Sequence, residues 1–171
     1  MVDLSRPDVD CGIRFGHGKW PGVTADLVGG TAYQPVCAPP VAARLKSFAD
    51  LGHVPVIQDE TTMLSWDAWR EEVGLDRKVK LSGPVYSDAS LAFDAAISEQ
   101  GVLMAADMMS ADAVSDGRLV RPFAHAVEGP QGYWLVVAKG RRESRKLRAL
   151  RSWLALEVPA SVGGYLSQGR A

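Results

Sequence analysis

What most constrains this chain is its punctuation. Short apolar runs alternate with stretches of helical spacing, and glycine, proline or a capping Ser or Asp stands at nearly every junction. Val9–Phe15 reads as a buried strand entering the loop His17–Gly22, and Thr24–Val28 with Ala32–Cys37 as a strand pair turned at Gly29-Gly30. Pro40 suits the first turn of a helix carrying Val41, Ala42, Leu45 and Phe48 and ending near Gly52. Val54–Gln58 is the next strand, and Ser65 caps a helix with Trp66, Trp69 and Val73 on one side and Gly74 at its end. Lys80–Tyr86 then gives a strand, and Asp88 or Ser87 caps a helix with Leu91, Ala95 and Ala96 inward. Val102–Ala106 is a strand, Asp107 caps a helix through Met108, Met109 and Val114, and Leu119–Phe123 is extended again. Tyr133–Ala138 makes the last strand and Ser144–Leu156 the last helix, with Leu147, Leu150 and Leu154 inward. Such alternation with short connections predicts an α/β sandwich with a largely parallel sheet. The tail 159–171 has linker composition and is expected to be disordered.

Charge narrows the partners. Across 171 residues, 19 Lys and Arg face 20 Asp and Glu, so the surface as a whole is not built for a polyanion. The distribution is uneven: residues 139–151 hold seven basic side chains against Glu143, while residues 1–138 hold 11 basic and 18 acidic ones. That basic segment is either a patch for phosphate or an acidic partner, or the solvated face of a helix. No run approaches the length of a membrane helix, and the acidic start MVDLSRPDVDCG is unlike a signal peptide, which predicts a cytoplasmic protein. Cys11 and Cys37 are too few and too far apart for a disulfide framework or a CxxC site.

Catalytic signatures are missing. Gly16, Gly18 and Gly22 follow a strand, but the spacing is GxGxxxG and Trp20-Pro21 sits where a helix would have to receive a pyrophosphate. There is no phosphate-binding GxxxxGKS/T loop and no GxSxG turn. His17, His53 and His125 have no second His or Cys at a spacing of three or four residues, so no metal site is predicted. The residues nominate no enzyme and no cofactor.

Several blocks together carry a resemblance. DVDCGIRFGHGKWPG (Asp8–Gly22), YQPVCAPPVAARL (Tyr33–Leu45), SWDAWREEVGL (Ser65–Leu75), GPVYSDASLAFDAAISEQGV (Gly83–Val102), DGRLVRPF (Asp116–Phe123) and the GYWLVV-to-LALE stretch (Gly132–Glu157) appear in that order. In order and spacing they resemble the effector-binding domain of LysR-type transcriptional regulators, in the subgroup similar to the glycine-cleavage and β-lactamase activators. The resemblance implies a fold like that of type II periplasmic binding proteins: two α/β lobes joined by crossover strands, with a small effector between them. Lobe I would comprise 1–34 and 125–158, lobe II 35–124, with crossovers at Val36-Cys37 and His125–Gly132.

By the same pattern the winged helix-turn-helix has no counterpart here, and the strand, helix and strand that precede the VDL block are missing. Lobe I is therefore expected to be incomplete, as in a truncated or mis-started regulator or one whose missing surface a partner supplies. The resemblance implies an effector site at the end of the first-lobe strand, with Arg14, Phe15 and Gly16. Across the cleft it places Tyr86, Ser87 and Asp88, where a strand feeds a helix N-terminus, and Tyr133 at the lobe return. Arg14 could instead pair with Asp10 or another acid, Ser87 or Asp88 could simply cap the helix, and Tyr133 could simply pack beside Trp134. It also implies a homo-oligomer through lobe I to lobe II contacts and DNA binding only through the helix-turn-helix. The alternatives are a solute-binding protein of the same fold and a remnant that only dimerises.

Overall fold

The computed structural model describes Leu4 and residues 9–158. In chain order the elements are β1 (Gly12–Gly16), β2 (Val23–Val36), α1 (Pro39–Ala42), a 3-10 turn (Phe48–His53), β3 (Val56–Asp59), α2 (Trp66–Glu72), β4 (Val85–Tyr86), α3 (Ala89–Ile97), β5 (Val102–Ala106), α4 (Asp107–Ser115), β6 (Val127–Ala138) and α5 (Arg145–Glu157). They fall into two compact units, Met1–Thr31 with Glu128–Ala171, and Ala32–Val127. The tail expected to be disordered, 159–171, lies outside the described residues.

In the first unit β6 lies between β1 and β2, and β1 pairs antiparallel with β6 from Gly12 opposite Val136 to Gly16 opposite Gly132. Strand alternation sends Tyr133, Leu135 and Val137 to one face, where α5 packs. Leu135, Val137, Val28 and Leu147 are buried there, with Leu150 and Leu154 against them. The Ser144 hydroxyl caps α5 by accepting from the Leu147 N–H at 3.1 Å. Each of these leucines contributes about 1.5–3 kcal/mol if fully buried.

In the second unit β5 stands between β2 and β3, with β4 outermost. β5 is buried along its whole length and so separates two cores. Val102 and Met104, with Val56 of β3, face Trp66 and Trp69 of α2. Leu103 and Ala105, with Ile57, face Ala92, Ala95 and Ala96 of α3. Phe48 packs edge-on against both Trp69 and Phe123, at 5.2 and 4.8 Å between ring centroids.

Several expectations are corrected. The sheet is mixed: β3 pairs in parallel with β4 and β5, while β2–β5 and β1–β6 are antiparallel. Helical crossovers, which parallel neighbours require, are present where α2 and α3 connect β3, β4 and β5. Gly29-Gly30 is not a turn but lies inside the single strand β2. A Cβ on Gly132 would stand 2.8 Å from the Gly29 oxygen, so glycine there serves close approach rather than reversal. The strand at Val9–Phe15 is not buried: Ile13 is 52% and Phe15 39% exposed. The helix expected from Pro40 to Gly52 is broken into α1 and the 3-10 turn, whose Ser47 and Asp50 form a capping box that starts a new element. Lys80–Tyr86 is a strand by regular pairing only at its end. Leu91 is exposed and Ala92 takes the inward place. Asp107 begins α4 without capping it, and Met108 and Met109 face solvent. Leu119–Phe123 forms only a bridge, Val120 to Cys37.

Candidate functional site

In the first unit, the sequence-predicted residues Arg14, Phe15 and Gly16 end β1, and Tyr133 lies on β6 directly opposite Phe15. The Phe15 and Tyr133 rings sit 4.9 Å apart on the face that α5 occupies. Alternation turns Arg14 to the other face, opposite Trp134, with its guanidinium 5.7 Å from the Trp20 ring centroid. Asp10, one of the acids considered as a partner for Arg14, forms an ion pair with Arg141 at 3.4 Å. The four residues are therefore neighbours, but Arg14 and the Phe15–Tyr133 pair present opposite faces. The two faces meet only where the strands end, at Gly16 and Gly132.

That end is held by residues the sequence reading did not assign to the site. The Trp134 indole N–H donates to the Gly16 carbonyl at 2.9 Å. Gly18, at φ +77°, passes so close to the Trp134 ring that a Cβ there would lie 2.5 Å from it. His17 Nδ1 is 2.9 Å from the Pro130 oxygen and its Nε2 is 3.2 Å from Gln131 Nε2. The imidazole therefore donates from Nδ1 and accepts at Nε2. No periodicity announces such cross-strand contacts; only the register of β1 on β6 brings them together.

In the second unit, Tyr86, Ser87 and Asp88 carry the chain from β4 into α3. Tyr86 donates its hydroxyl to Gln100 Oε1 at 2.9 Å. Asp88 caps α3: its Oδ1 accepts from the Ser90 and Leu91 N–H groups at 2.8 and 3.3 Å. Ser87 is exposed between them. Sequence reasoning missed a second polar group in this unit. Buried Gln34 donates to Asp107 Oδ1 at 3.3 Å, and Arg121 approaches the same oxygen at 3.6 Å. Burial raises the Asp107 carboxyl above its ordinary range, and the Arg121 charge opposes that rise.

Among the described residues no helix is long and apolar enough to cross a membrane. Nor do three His, Cys, Asp or Glu side chains converge as a metal site.

Residues 1–158 match the family of the LysR substrate binding domain. The glycine cleavage system transcriptional activator of Escherichia coli K12 is 30% identical over 161 residues, 92% of this chain and 52% of the relative. The HTH-type transcriptional activator AmpR of Pseudomonas aeruginosa PAO1 is 34% identical over 160 residues, 93% of this chain and 53% of the relative. The chain thus spans about half the length of the curated relatives it matches. The solved effector domain of Pseudomonas aeruginosa AmpR superposes with a TM-score of 0.68 at 30% identity, over 90% of this chain and 74% of that one. The regulatory domain of AphB from Vibrio vulnificus, 14% identical with a TM-score of 0.62, shares the fold, over 91% of this chain and 78% of that one.

Proposed function

Because this chain belongs to the LysR substrate-binding domain family, as the effector-binding domain of a LysR-type regulator and not an enzyme, we propose that it senses a small polar effector through Arg14, Phe15, Gly16 and Tyr133 of one lobe and Tyr86, Ser87 and Asp88 of the other. Lobe I in this reading comprises 1–34 and 125–158, and lobe II 35–124. The observation that carries the proposal is the strand end at Gly16. Arg14 on one face of the strands and the Phe15–Tyr133 ring pair on the other flank the same pinned glycine loop, and polar groups beside aromatic surface are what a small-ligand site requires. Within the second unit, Ser87 carries a hydroxyl beside the capped N-terminus of α3. Because the Asp88 side chain already accepts two backbone bonds at that end and is itself an acid, an effector group facing it would carry an amine or hydroxyl rather than a second anion.

The chain would self-associate through contacts between lobe I of one copy and lobe II of another. Opposite charge supports this arrangement: Met1–Thr31 with Glu128–Ala171 holds 11 basic and seven acidic residues, and Ala32–Val127 holds eight basic and 13 acidic. In the whole regulator DNA would be held by a helix-turn-helix, the element named for the AmpR relatives, and this chain by itself would have no DNA affinity.

Thermal-shift screening of the chain against amino acids, aromatic acids and cell-wall peptides tests the sensing reading. A ligand at a hundred times its Kd stabilises by about 2.7 kcal/mol, a rise of roughly 5–10 °C for a chain of this size. Arg14→Ala or Tyr133→Phe should abolish that rise. Stabilisation by no class, or stabilisation unchanged in both variants, would refute the assignment. An electrophoretic shift of promoter DNA by this chain at moderate salt would refute the division of labour.

A further inference from the structure

The second unit holds another polar concavity, separate from the residues assigned above. α2 begins at Ser65 over the end of β3, where the Trp66 indole N–H donates to the Ile57 carbonyl at 2.9 Å. On the far side, the backbone of 82–84 runs along β3 and accepts from Val56 and Gln58 N–H groups at 2.9 Å each. Between helix and strand lies a cavity of about 260 Å³, lined by Gln58, Ser65, Trp66, Asp67, Arg70 and Ser82 among others.

Arg70 is the anomalous member. Its side chain is only 11% exposed, yet among the described residues it makes a single hydrogen bond, from Nη2 to the Val79 carbonyl at 2.8 Å. Its Nε is buried and bonds to nothing among the described residues. The carboxylate paired with it, Asp67, stands 4.0 Å from Nη1 and is itself 88% exposed. A guanidinium has five N–H donors, and withdrawing its charge from water costs several kcal/mol unless an acceptor answers it. Two hydroxyls and an amide share the cavity wall. Ser65 Oγ accepts the capping bond from Ala68 N–H at 3.1 Å, so its own proton is free to donate into the space. Gln58 offers an amide whose bond to the Val56 carbonyl is long, at 3.4 Å.

From this donor-rich wall around an under-answered buried cation, we propose that the cavity is a binding site for a small carboxylate seated on the Arg70 guanidinium. Ser65, Ser82 and Gln58 supply further donors, and the rings of Trp66 and the side chain of Leu81 bound the aliphatic end. Asp67, at the mouth, repels a bare carboxylate and favours one that also carries an amine. The site stands independently of the effector assignment, since it shares no residue with it.

The test is an NMR titration of the full 15N-labelled chain with sodium acetate, against sodium chloride at matched ionic strength. Saturable shifts of the Trp66 indole and the Arg70 Nε–H in the millimolar range are expected, with the Trp20 and Trp134 indoles unmoved. Asp67→Asn should tighten acetate binding a few-fold, since it removes an exposed negative charge beside the seated carboxylate. Arg70→Gln should abolish the shifts. Since Arg70 also anchors Val79, Ser82→Leu provides a second probe: it blocks the mouth from an exposed position and should abolish binding in a chain whose amide spectrum is otherwise native. Equal shifts with chloride, a response confined to Trp20 or Trp134, or persistence of the Trp66 shift in folded Ser82→Leu would each overturn the proposal.

Discussion

An alanine at Gly83 should prise the outer strand of the second unit off β3. A Cβ there would stand 2.4 Å from the Val56 carbonyl oxygen, 2.7 Å from the Val56 nitrogen and 2.9 Å from its carbonyl carbon. All three are backbone atoms of a buried strand, so no side-chain rotation relieves the contact. The chain at 82–84 must retreat, and the two bonds that hold it, from Val56 N–H to Ser82 O and from Gln58 N–H to Pro84 O, must lengthen. Overpacking costs about 1–3 kcal/mol, and the two backbone bonds about 1 kcal/mol each. The stiffer unfolded chain returns about 0.4–1 kcal/mol. A loss of about 2–4 kcal/mol follows, or roughly 5–15 °C in Tm for a chain of this length. Urea unfolding followed by far-UV circular dichroism would measure it. Gly117→Ala is the control: Gly117 has φ +73° and nothing within 4 Å of the added carbon, so only the left-handed backbone is penalised, by about 1–2 kcal/mol. The reasoning is wrong if Gly83→Ala unfolds at the same urea concentration as the parent, or no earlier than Gly117→Ala.

Asp88→Ala removes the α3 cap and should cost about 1 kcal/mol in urea unfolding, whereas Asp88→Asn, which keeps an accepting oxygen, should stay within a few tenths of the parent. Equal losses in both would assign the role of Asp88 to its charge. Burial pushes the Cys37 thiol from 9.0 up to about 12, so in the native chain at pH 8 a thiol-specific disulfide reagent should modify partly exposed Cys11 and spare Cys37 until denaturant is added. Because the folded thiol is harder to ionise than the unfolded one, its contribution to stability is complete below pH 9 and fades between 9 and about 12. The same sign applies to Asp107, whose carboxyl is raised chiefly by burial: ionisation at neutral pH works against the fold. Asp107→Asn should therefore unfold at an equal or higher urea concentration at pH 7, with the advantage gone in acid. A lower midpoint at pH 7 would mean that the Arg121 ion pair outweighs the burial.

The elements written locally in the sequence were legible, and those settled by distant contacts were not. Ser65 before α2, Asp88 before α3 and Ser144 before α5 announce their helices because a cap is a bond to an N–H two or three residues away. VLMAA, apolar throughout, could only be a strand buried on both faces. Gly29-Gly30 has the composition of a turn, and only Gly132, over a hundred residues on, reveals that the pair makes room within a strand. Leu119–Phe123 has strand composition but makes a strand bridge only from Val120 to Cys37 among the described residues, so it gains no ladder there. The exposed Met108 and Met109 mislead in the same way, because hydrophobicity marks a core residue only where a neighbouring element arrives to cover it.

The candidate site divides along the same line, and the division can be measured. Arg14 and Tyr133 are close in the sheet yet turned to opposite faces, a consequence of the strand period that their positions in the sequence conceal. In the free chain each meets its own partners, Arg14 the Trp20 ring and Tyr133 the Phe15 ring. The stability losses of Arg14→Ala and Tyr133→Ala should accordingly add to within about 0.5 kcal/mol in a double-mutant cycle. An effector that closes around the Gly16 end of the strands would touch both, and the same cycle in effector affinity should then show a coupling of about 0.5–3 kcal/mol. Coupling in stability without coupling in affinity would reverse the assignment, making the pair a structural unit of the first lobe and moving the effector elsewhere.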